Sequence, residues 1–526
     1  MSSNPVVLII MDGWGVAAPS KGNAFTLAQT PFLEYMLENY PAMLLEAGGV
    51  SVGLPWGEMG NSEVGHLSIG AGKIVFQSLA RVTKAIESGE FFKNRAFQMA
   101  IEHVKKNKSN LHLMGLLGTG GVHAHQLHIE SLMQLAQDQG VPDVYLHLFL
   151  DGRDAPQKSA DKFLTSLIER MREKKYGQIA SLSGRFWAMD RDQKWERTEK
   201  SYHAIVHGQS ESMSDDVFVS LYDSYERKIY DEEFAPTVIT KDGKPLAPIQ
   251  DNDAVIFYNF RTDRPRQLTE AFVADEFAHF DRGKKLENLL FVTMTEYKKD
   301  WPVQVAFPPE YVREPLAKTI SDAGKKQLHV AETEKYAHVT FFINGLQEKR
   351  FPGEDRVLVP SPLVDSYAKT PEMSGEKVAK AVVEGIQKDE YSFIVVNFAN
   401  PDMVAHTGNL QATIRGLEAD DRYLESIVTA ALEKNGTVLI TSDHGNCEEL
   451  VKLQTGEMDK EHSSRPVPLL LINQQFKGKY PPVARDRMYT LQSRGTLVDV
   501  APTVLGLLGI EKPREMVGIN LLKLIG

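Results

Sequence analysis

Carboxylate and imidazole side chains near the two ends of the chain form a pattern that suits metal binding. They are Asp12, Asp402, His406, Asp443, His444 and His462. Asp402 and His406 are four residues apart, so both side chains could face one way on a helical turn. Carboxylates and imidazoles without a thiolate suit manganese, zinc and other borderline divalent ions. Any one histidine is more often an ordinary hydrogen-bonded side chain, but the set as a whole predicts two metal sites with open positions.

Ser62 lies in a glycine-rich stretch, Glu58–Gly72, which reads EMGNSEVGHLSIGAG. Glycine costs conformational entropy, so the stretch predicts a loop whose backbone another group approaches closely. An ordinary surface loop is the alternative. A free serine hydroxyl is a weak nucleophile. A metal could lower the pKa of this hydroxyl, as it does for bound water, which would make Ser62 both a metal ligand and a nucleophile.

Arginines that follow apolar runs are found in the middle of the chain. They are Arg153, Arg185, Arg191, Arg261 and Arg264. The guanidinium fork matches phosphate and carboxylate, so this set predicts an anion site, although solvated surface arginines are the alternative. Asp154, beside Arg153, is either a proton shuttle or a simple ion-pair partner.

Three further residues have side chains that could take part in phosphate binding, metal binding or catalysis. His123 could donate to a phosphate; with His125 and His128 it could form a metal site, which the lack of nearby carboxylates disfavours. Lys335 offers a point charge to a phosphoryl group. Cys447 is the one cysteine and has no base placed to activate it, so it is expected to be a bystander.

Short apolar runs precede most of these residues. They occur in PVVLIIMDG, NLHLMGLLGTGG, DVYLHLFLDGRD, DAVIFYNFRTDR, YSFIVVNFANPD and GTVLITSDHGN, and TPFLEYMLENY predicts a helix. Continuous apolar strands separated by helices predict parallel sheets that are covered on both faces. Ligands of such sheets bind beyond the carboxyl ends of the strands, which is where the polar clusters lie.

The distribution of charge predicts two domains. The metal-type residues come from both ends of the chain and the arginines from its middle, so we expect one domain with a second inserted into it. The insertion begins near IVFQSLARVTKAI and ends near FPPEYVREPLAKTI, with Pro308–Pro309 as a linker. The predicted bounds are 1–77 and 310–526 for the metal domain and 78–309 for the substrate domain.

The composition is that of a soluble globular protein. With 526 residues the chain needs more than one core, and a net charge of −11 disfavours a nucleic-acid partner. One cysteine excludes an intramolecular disulfide and fits a reducing cytoplasm. The apolar run Val6–Met11 is too short for a signal segment or a membrane span, and no long apolar run follows it. A cytoplasmic protein without a membrane partner is expected.

Ten motifs, in order along the chain, resemble those of cofactor-independent phosphoglycerate mutases. They read MDGWG, MGNSEVGHLSIGAG, GGVHAH, LDGRD, MDRD, NFRTDR, AETEKYAHVTFF, NPDMVAHTG, SDHGN and EHSSRPVP. The aspartate of the first strand and the DHGN stretch alone would imply only the wider alkaline-phosphatase-like superfamily. The resemblance runs from about Val6 to about Gly518. It implies an α/β fold in which an alkaline-phosphatase-like metal-binding domain carries an inserted α/β transferase domain.

The resemblance also implies ligand sets. Asp402, His406 and His462 resemble the ligands of one manganese, and Asp12, Ser62, Asp443 and His444 those of a second. The residues that match the substrate pocket are His123, Arg153, Asp154, Arg185, Arg191, Arg261, Arg264 and Lys335. Two departures stand out: Ser463 and Ser464 replace the usual threonines, and the loop after DGRD reads APQKSA.

The activity implied is the interconversion of 3-phosphoglycerate and 2-phosphoglycerate by a monomeric enzyme of glycolysis and gluconeogenesis. Ser62 would form a phosphoserine, Lys335 would offset phosphoryl charge, and Asp154 would carry protons. A metal-dependent phosphatase or a phosphopentomutase is the enzymatic alternative; the arginine-bearing insert argues against a phosphatase, since hydrolysis needs no clamp on the leaving alcohol. The other alternative is a protein that binds a phosphosugar without catalysing a reaction. The presence of the serine nucleophile and of all the expected metal ligands disfavours it.

Overall fold

The chain folds into two compact units. The structure is a computed structural model, and it describes residues 4–452 and 454–525. Unit 1 combines the residues up to Phe76 with those from Glu310 onward, and unit 2 is Gln77–Pro309. Each unit contains a largely parallel sheet with helices, so the predicted α/β fold class is confirmed.

The strands and helices of the described residues are numbered in chain order. The strands are β1 Val6–Met11, β2 Ala42–Glu46, β3 Leu111–Leu117, β4 Val144–Leu150, β5 Gln178–Gly184, β6 Ser212–Ser214, β7 Thr237–Lys241, β8 Lys244–Pro245, β9 Ala254–Phe257, β10 Leu290–Thr295, β11 Gln304–Phe307, β12 Gln327–Glu332, β13 Glu354–Val359, β14 Phe393–Phe398, β15 Thr437–Thr441, β16 Val467–Ile472 and β17 Ser493–Thr496. The helices are α1 Ala24–Leu27, α2 Pro31–Asn39, α3 Ser62–Ala71, α4 Ser78–Glu87, α5 Arg95–Asn107, α6 Gln126–Asp138, α7 Ala160–Lys174, α8 Arg185–Ala188, α9 Trp195–Tyr202, α10 Val217–Glu226, α11 Arg266–Val273, α12 Leu316–Asp322, α13 Gly375–Gln387, α14 Asn400–Ala405, α15 Leu410–Glu433, α16 Val500–Leu507 and α17 Leu522–Ile525.

The sheet of unit 1 has the strand order β13-β12-β14-β1-β15-β16-β2-β17. The neighbours from β13 to β15 are parallel, and β16 is antiparallel to both β15 and β2. In β1, Val7 and Ile9 pack into one hydrophobic core while Leu8 and Ile10 pack into another. Alternate side chains of a strand point to opposite faces, so both faces are covered, and this explains the continuous apolar run.

The sheet of unit 2 has the order β11-β10-β9-β3-β4-β5-β7-β6, with β8 paired to β7. The neighbours from β11 to β5 are parallel, and β7 is antiparallel to β5. The buried side chains of this unit form one core. The predicted helix in TPFLEYMLENY is confirmed in unit 1, where α2 buries Leu33, Met36 and Leu37.

Both units place their polar clusters at the carboxyl ends of four adjacent parallel strands. In unit 1 these strands are β12, β14, β1 and β15, which precede Lys335, Asp402, Asp12 and Asp443 respectively. In unit 2 they are β9, β3, β4 and β5, which precede NFRTDR, GGVHAH, DGRD and Arg185 respectively. Parallel alignment brings the residues that follow each strand to one edge of the sheet.

Candidate active site

Ser62 is the first residue of α3, so the loop predicted over Glu58–Gly72 is wrong from Ser62 onward. Asn61 caps the helix, since its side chain accepts from the backbone N–H of Val64. The glycines allow close packing: a Cβ at Gly65 would clash with the carbonyl oxygen of Asp443. The helix therefore lies directly against the segment that follows β15.

The Ser62 hydroxyl lies among charged and imidazole groups. Its Oγ is 2.9 Å from Nε2 of His444, 2.8 Å from Nζ of Lys335 and 3.3 Å from Oδ1 of Asp12. The ammonium group of Lys335 also donates to Asp12 Oδ1 and to Asp402 Oδ2, each at 2.7 Å. An ammonium and a helix N-terminus both favour negative charge on the Ser62 oxygen.

Asp402, His406 and His462 form one group whose lone pairs converge. The Nε2 atoms of the two histidines are 3.0 Å apart, and Asp402 Oδ1 lies 3.3 Å and 3.5 Å from them. Each Nδ1 faces a backbone carbonyl oxygen: that of Lys460 at 2.7 Å for His406, and that of Gly60 at 2.9 Å for His462. Each Nδ1 therefore donates, which leaves each Nε2 lone pair free to bind a cation.

Asp12, Asp443, His444 and Ser62 form a second group. Ligand atoms of Asp12, Asp443 and His444 lie within 4.8 Å of one another. Asp443 Oδ2 is buried and receives no hydrogen bond in the described part of the chain, because Nδ1 of His66, 3.1 Å away, donates to the Ser62 carbonyl oxygen. A buried carboxylate oxygen without a donor fits a metal ligand, because a cation would replace the missing partner.

The two groups have a surplus of negative charge. Asp12, Asp402 and Asp443 are buried, and Lys335 is the ammonium that contacts two of them. Burial alone would lower the pKa of Lys335, but the three carboxylates raise it above its usual value. Burial likewise lowers the pKa of His444, yet Asp443 and Asp12 outweigh it and raise the pKa to about 10. The site therefore attracts positive charge.

Glu448 holds together the loops of unit 1 that carry the candidate metal ligands, and the sequence pattern did not indicate it. Its buried carboxylate accepts from the backbone N–H of Gly15 at 3.1 Å, from that of Asn446 at 2.9 Å and from the hydroxyl of Ser463. Burial raises the pKa of Glu448. The sequence does not distinguish Glu448 from the adjacent Glu449, because its partners come from three separate segments.

Arg185 links two aspartates in the arginine cluster of unit 2, the candidate anion site. This buried side chain lies 2.6 Å from Asp151 Oδ1 and 2.5 Å from Asp154 Oδ2. Asp151 Oδ1 also accepts from the backbone N–H groups of Arg153 and Asp154, at 3.2 Å and 3.0 Å. Asp154 therefore forms an ion pair, with Arg185, which was one of the two roles expected for it. Asp151 holds the DGRD loop in place through backbone hydrogen bonds, a role that the sequence pattern did not indicate.

Asp263 links two further arginines and was also missed. Its Oδ2 is 2.6 Å from Nη1 of Arg191, and its Oδ1 is 3.4 Å from Nε of Arg261. Nδ1 of His123 lies 3.7 Å from the same Oδ1. Burial would raise the pKa of Asp263, but Arg191, His123 and Arg261 together lower it.

Positive charge in this cluster is not fully compensated. Arg264 donates to the carbonyl oxygen of Met189 at 3.0 Å, and its pKa is lowered by burial and then by the charges of Arg185, Arg191 and Arg153. Burial, and next Arg185, lower the pKa of His123 to about 4. Cations that repel one another in a partly buried cluster favour the binding of an anion.

Two other expectations concern a histidine metal site and the cysteine. His123, His125 and His128 do not form a metal-binding group in the described residues. Burial raises the pKa of Cys447 well above its usual value, which keeps the thiol protonated and agrees with a bystander role. Within residues 4–452 and 454–525, the helices are too short or too polar to span a membrane.

Comparison with known proteins gives consistent matches over the chain. Residues 82–299 match the family model described as the BPG-independent PGAM N-terminus. A 2,3-bisphosphoglycerate-independent phosphoglycerate mutase from Chloroflexus aggregans is 50% identical, with 98% of each chain covered. One from Listeria welshimeri is 47% identical, with 99% of this chain and 100% of the relative covered.

A solved structure also matches nearly the whole chain. It is described as Leishmania mexicana phosphoglycerate mutase at low cobalt concentration. Its TM-score is 0.61 at 30% identity, and the match covers 98% of this chain and 97% of that one. Half of all positions are shared with a relative of nearly equal length, and the ten motifs occur in the expected order. The chain therefore belongs to the family of 2,3-bisphosphoglycerate-independent phosphoglycerate mutases.

Proposed function

We propose that this chain is an isomerase that interconverts 3-phosphoglycerate and 2-phosphoglycerate, in glycolysis and gluconeogenesis, through a phosphoserine at Ser62. The placement of the Ser62 hydroxyl carries the proposal. It lies 2.8 Å from an ammonium and 2.9 Å from an imidazole nitrogen, at a helix N-terminus. These neighbours favour an ionised oxygen, which is the form that attacks phosphorus.

Family membership implies a dependence on divalent metal, and the residues fit two ions. Asp402, His406 and His462 would hold one, and Asp12, Ser62, Asp443 and His444 the other. Manganese is our proposal for both, since the ligands are carboxylates and imidazoles without thiolate. When bound, the ions lower the pKa of the Ser62 hydroxyl and offset charge on the phosphoryl oxygens. The Leishmania mexicana relative is described at low cobalt concentration.

The covalent steps exchange one ester bond for another. The cycle begins with a proton on Asp154 and with none on Ser62, whose proton has passed to solvent. Ser62 Oγ bonds to phosphorus while the bond from phosphorus to the glycerate oxygen breaks, and that oxygen takes the proton from Asp154. The other glycerate hydroxyl then gives a proton to Asp154 and attacks the phosphoserine, which frees Ser62. Lys335 stabilises the phosphoryl oxygens in both steps.

The arginines of unit 2 would retain glycerate between the two steps. Arg153, Arg185, Arg191, Arg261 and Arg264, with His123, supply donors for its carboxylate and for phosphate oxygens. We assign the nucleophile and metals to unit 1, the metal domain predicted over 1–77 and 310–526. We assign substrate binding to unit 2, predicted over 78–309. A phosphatase would need no such clamp on the leaving alcohol.

The family implies a small-molecule substrate, here a phosphoglycerate. We propose that the chain acts as a monomer in the cytoplasm, without a nucleic-acid or membrane partner. The net charge of −11 supports the absence of a nucleic-acid partner, because the phosphate backbone would be repelled. Sedimentation of the purified chain would test the monomer.

A product assay tests the reaction. The chain is freed of metal, reloaded with Mn²⁺ and given 3-phosphoglycerate without 2,3-bisphosphoglycerate, and phosphorus NMR follows the products. The proposal expects 2-phosphoglycerate with little inorganic phosphate, together with metal bound at two sites. Release of inorganic phosphate alone would instead indicate a phosphatase. A metal-loaded chain that produces neither compound would contradict the proposed function.

A further inference from the structure

His66 and Asn397 are buried polar residues behind the Ser62 site that the proposed mechanism does not use. Both are fully buried. Asn397 lies on β14, and its Nδ2 is 2.7 Å from Asp12 Oδ2 and 3.0 Å from His66 Nε2. His66 lies one helical turn after Ser62 on α3, and its Nδ1 is 2.8 Å from the Ser62 carbonyl oxygen. Hydrogen bonds thus run from Asp12 through both side chains to the backbone of Ser62.

The chemistry of these groups fixes where the hydrogens lie. An ionised carboxylate only accepts, so the amide nitrogen of Asn397 must face Asp12. Its second hydrogen then points to His66 Nε2, which must accept. His66 therefore carries its proton on Nδ1 and donates it to the carbonyl oxygen of Ser62. Since the Nε2 lone pair is already engaged, His66 is excluded as a metal ligand.

The arrangement directs the other oxygen of Asp12, Oδ1, toward Ser62 and Lys335. Asn397 holds Oδ2, which turns Oδ1 toward Ser62 Oγ at 3.3 Å and His444 Nε2 at 3.5 Å. His66 Nδ1 is also 3.1 Å from Asp443 Oδ2, although it donates its hydrogen to the Ser62 carbonyl oxygen. Both proposed carboxylate ligands of this group therefore touch the pair.

We propose that Asn397 and His66 are positioning residues for the second candidate metal group, which consists of Asp12, Ser62, Asp443 and His444. They orient the Asp12 carboxylate and fix the first turn of α3. Ser62 Oγ and Asp12 Oδ1 are thereby directed toward the position that a metal ion would occupy. The inference rests on the proposed function, because it assigns the pair to the same nucleophile and metal. Residues that hold metal ligands in this way typically contribute about 10–100-fold to metal affinity or activity.

Near-isosteric variants test the pair. His66→Asn keeps a donor at the Nδ1 position and loses the acceptor, whereas His66→Phe keeps the ring and loses both. Asn397→Asp places a carboxylate against Asp12. His66→Phe and Asn397→Asp are expected to weaken Mn²⁺ binding about 10–100-fold and to lower kcat at saturating Mn²⁺ by a similar factor. KM for 3-phosphoglycerate should stay within about twofold, because the arginines are unchanged. His66→Asn should recover part of the loss.

A matched control lies elsewhere in unit 1. Asn473 donates to the Gly436 carbonyl oxygen and to the Thr437 hydroxyl, at the amino end of β15, whereas Asp443 follows its carboxyl end. Asn473→Asp makes the same chemical change as Asn397→Asp and should leave Mn²⁺ affinity and kcat unchanged. If Asn473→Asp lowers Mn²⁺ affinity and kcat as much as Asn397→Asp does, an added carboxylate is harmful at either position. That result would overturn the specific positioning role of Asn397.

The tautomer gives a readout that needs neither metal nor turnover. In the metal-free chain, nitrogen-15 NMR of labelled histidine should show the Nδ1–H form for His66, identified as the signal missing in His66→Asn. Asn397→Leu should shift that signal toward the Nε2–H form. An Nε2–H tautomer in the wild-type chain would overturn the proposal, even if the variants fail to fold. Unchanged Mn²⁺ affinity and kcat in folded His66→Phe and Asn397→Asp would overturn it as well. Wild-type chain without mutase activity would instead contradict the proposed function.

Discussion

The Nε2 atoms of His406 and His462 face each other at 3.0 Å while their Nδ1 atoms point to backbone carbonyls. With both Nδ1 atoms donating, the space between the Nε2 atoms can accept either a shared proton or a metal cation. Asp402 Oδ1 lies 3.3 Å from one of these nitrogens and stabilises either occupant. Protons and metal therefore compete for the same atoms, and pH controls which is bound.

This competition predicts how metal binding depends on pH. The pKa of His406 is raised by its hydrogen bond to Asp402. That of His444 is raised to about 10 because Asp443 and Asp12 outweigh burial. Protonation therefore stabilises the metal-free fold fully below pH 6.5, the ordinary histidine value, and this stabilisation is lost as pH rises toward 10. The stabilisation by Mn²⁺ should grow over the same range.

Thermal unfolding checks this expectation. The midpoint of EDTA-treated chain should fall as pH rises above 6.5, while the increase in the midpoint on adding Mn²⁺ should become larger. At limiting Mn²⁺, activity should decline as pH is lowered from about 10 toward 6.5, and excess Mn²⁺ should restore part of it. A response to Mn²⁺ that is independent of pH would rule out histidine ligands.

Replacement of the nucleophile should abolish turnover. Ser62→Ala removes the hydroxyl but keeps the cap of α3, because the cap is the side chain of Asn61. Activity should fall by at least about 10³-fold, the scale of losing a covalent nucleophile, with little change in the thermal midpoint. Mass spectrometry of acid-quenched wild type should find phosphate on Ser62, and the variant serves as the blank. Appreciable activity in Ser62→Ala would exclude the phosphoserine route.

Arg261 should not tolerate lysine. Its side chain is half exposed, lies 3.4 Å from Asp263 and has further N–H groups to offer an anion. Lysine keeps the charge but loses the planar fork, so Arg261→Lys should cost about 1.5–3 kcal/mol in kcat/KM. Lys228→Arg, at an exposed position, is a control that should leave kinetics unchanged. Wild-type kinetics in Arg261→Lys would argue against bidentate binding by Arg261.

Weaker retention of glycerate by the arginines of unit 2 should allow water to hydrolyse the phosphoserine intermediate. Arg153→Ala combined with Asp154→Asn removes a proposed glycerate contact and the proposed proton carrier but leaves Ser62 and the metal ligands in place. Isomerisation should slow more than hydrolysis, so the ratio of inorganic phosphate to 2-phosphoglycerate should rise. Both products are measured over time by phosphorus NMR. If total turnover falls at an unchanged ratio, the arginines contribute affinity alone.

Ser463 should be replaceable by threonine but not by alanine. Its hydroxyl donates to buried Glu448, which also accepts from two backbone N–H groups. Ser463→Thr retains the donor and should be close to wild type in stability. Ser463→Ala leaves the carboxylate short of a partner and should cost about 1–3 kcal/mol of unfolding free energy, measured by urea titration. Equal stability of both variants would show that the hydroxyl is dispensable.

The strands of unit 1 could be predicted because β1, β14 and β15 are buried on both faces. Such strands read as continuous apolar runs, and a polar residue marks where each ends. The start of α3 was missed because glycines at Gly65 and Gly70 mask its helical pattern. They are required for close packing, which only the tertiary structure reveals.

The supporting residues could not be predicted for a similar reason. His66, Asn397, Glu448 and Asp263 act through partners that are distant in the sequence or on other elements. A buried asparagine on a strand and an acidic residue in a loop have no local pattern that separates them from ordinary positions. Residues expected to bind metal or phosphate are recognisable by type, whereas those that orient them are recognisable only by contact.

The position of β1 in the sheet has a consequence for synthesis on the ribosome. Val6 pairs with Phe393 on one side and with Thr437 on the other. At roughly 5–20 residues per second, the first of these partners is made on the order of 20–80 s after β1. Unit 2 is translated in full during this interval. The apolar β1 must therefore be shielded, by chaperones or by transient collapse, until the strands that flank it emerge.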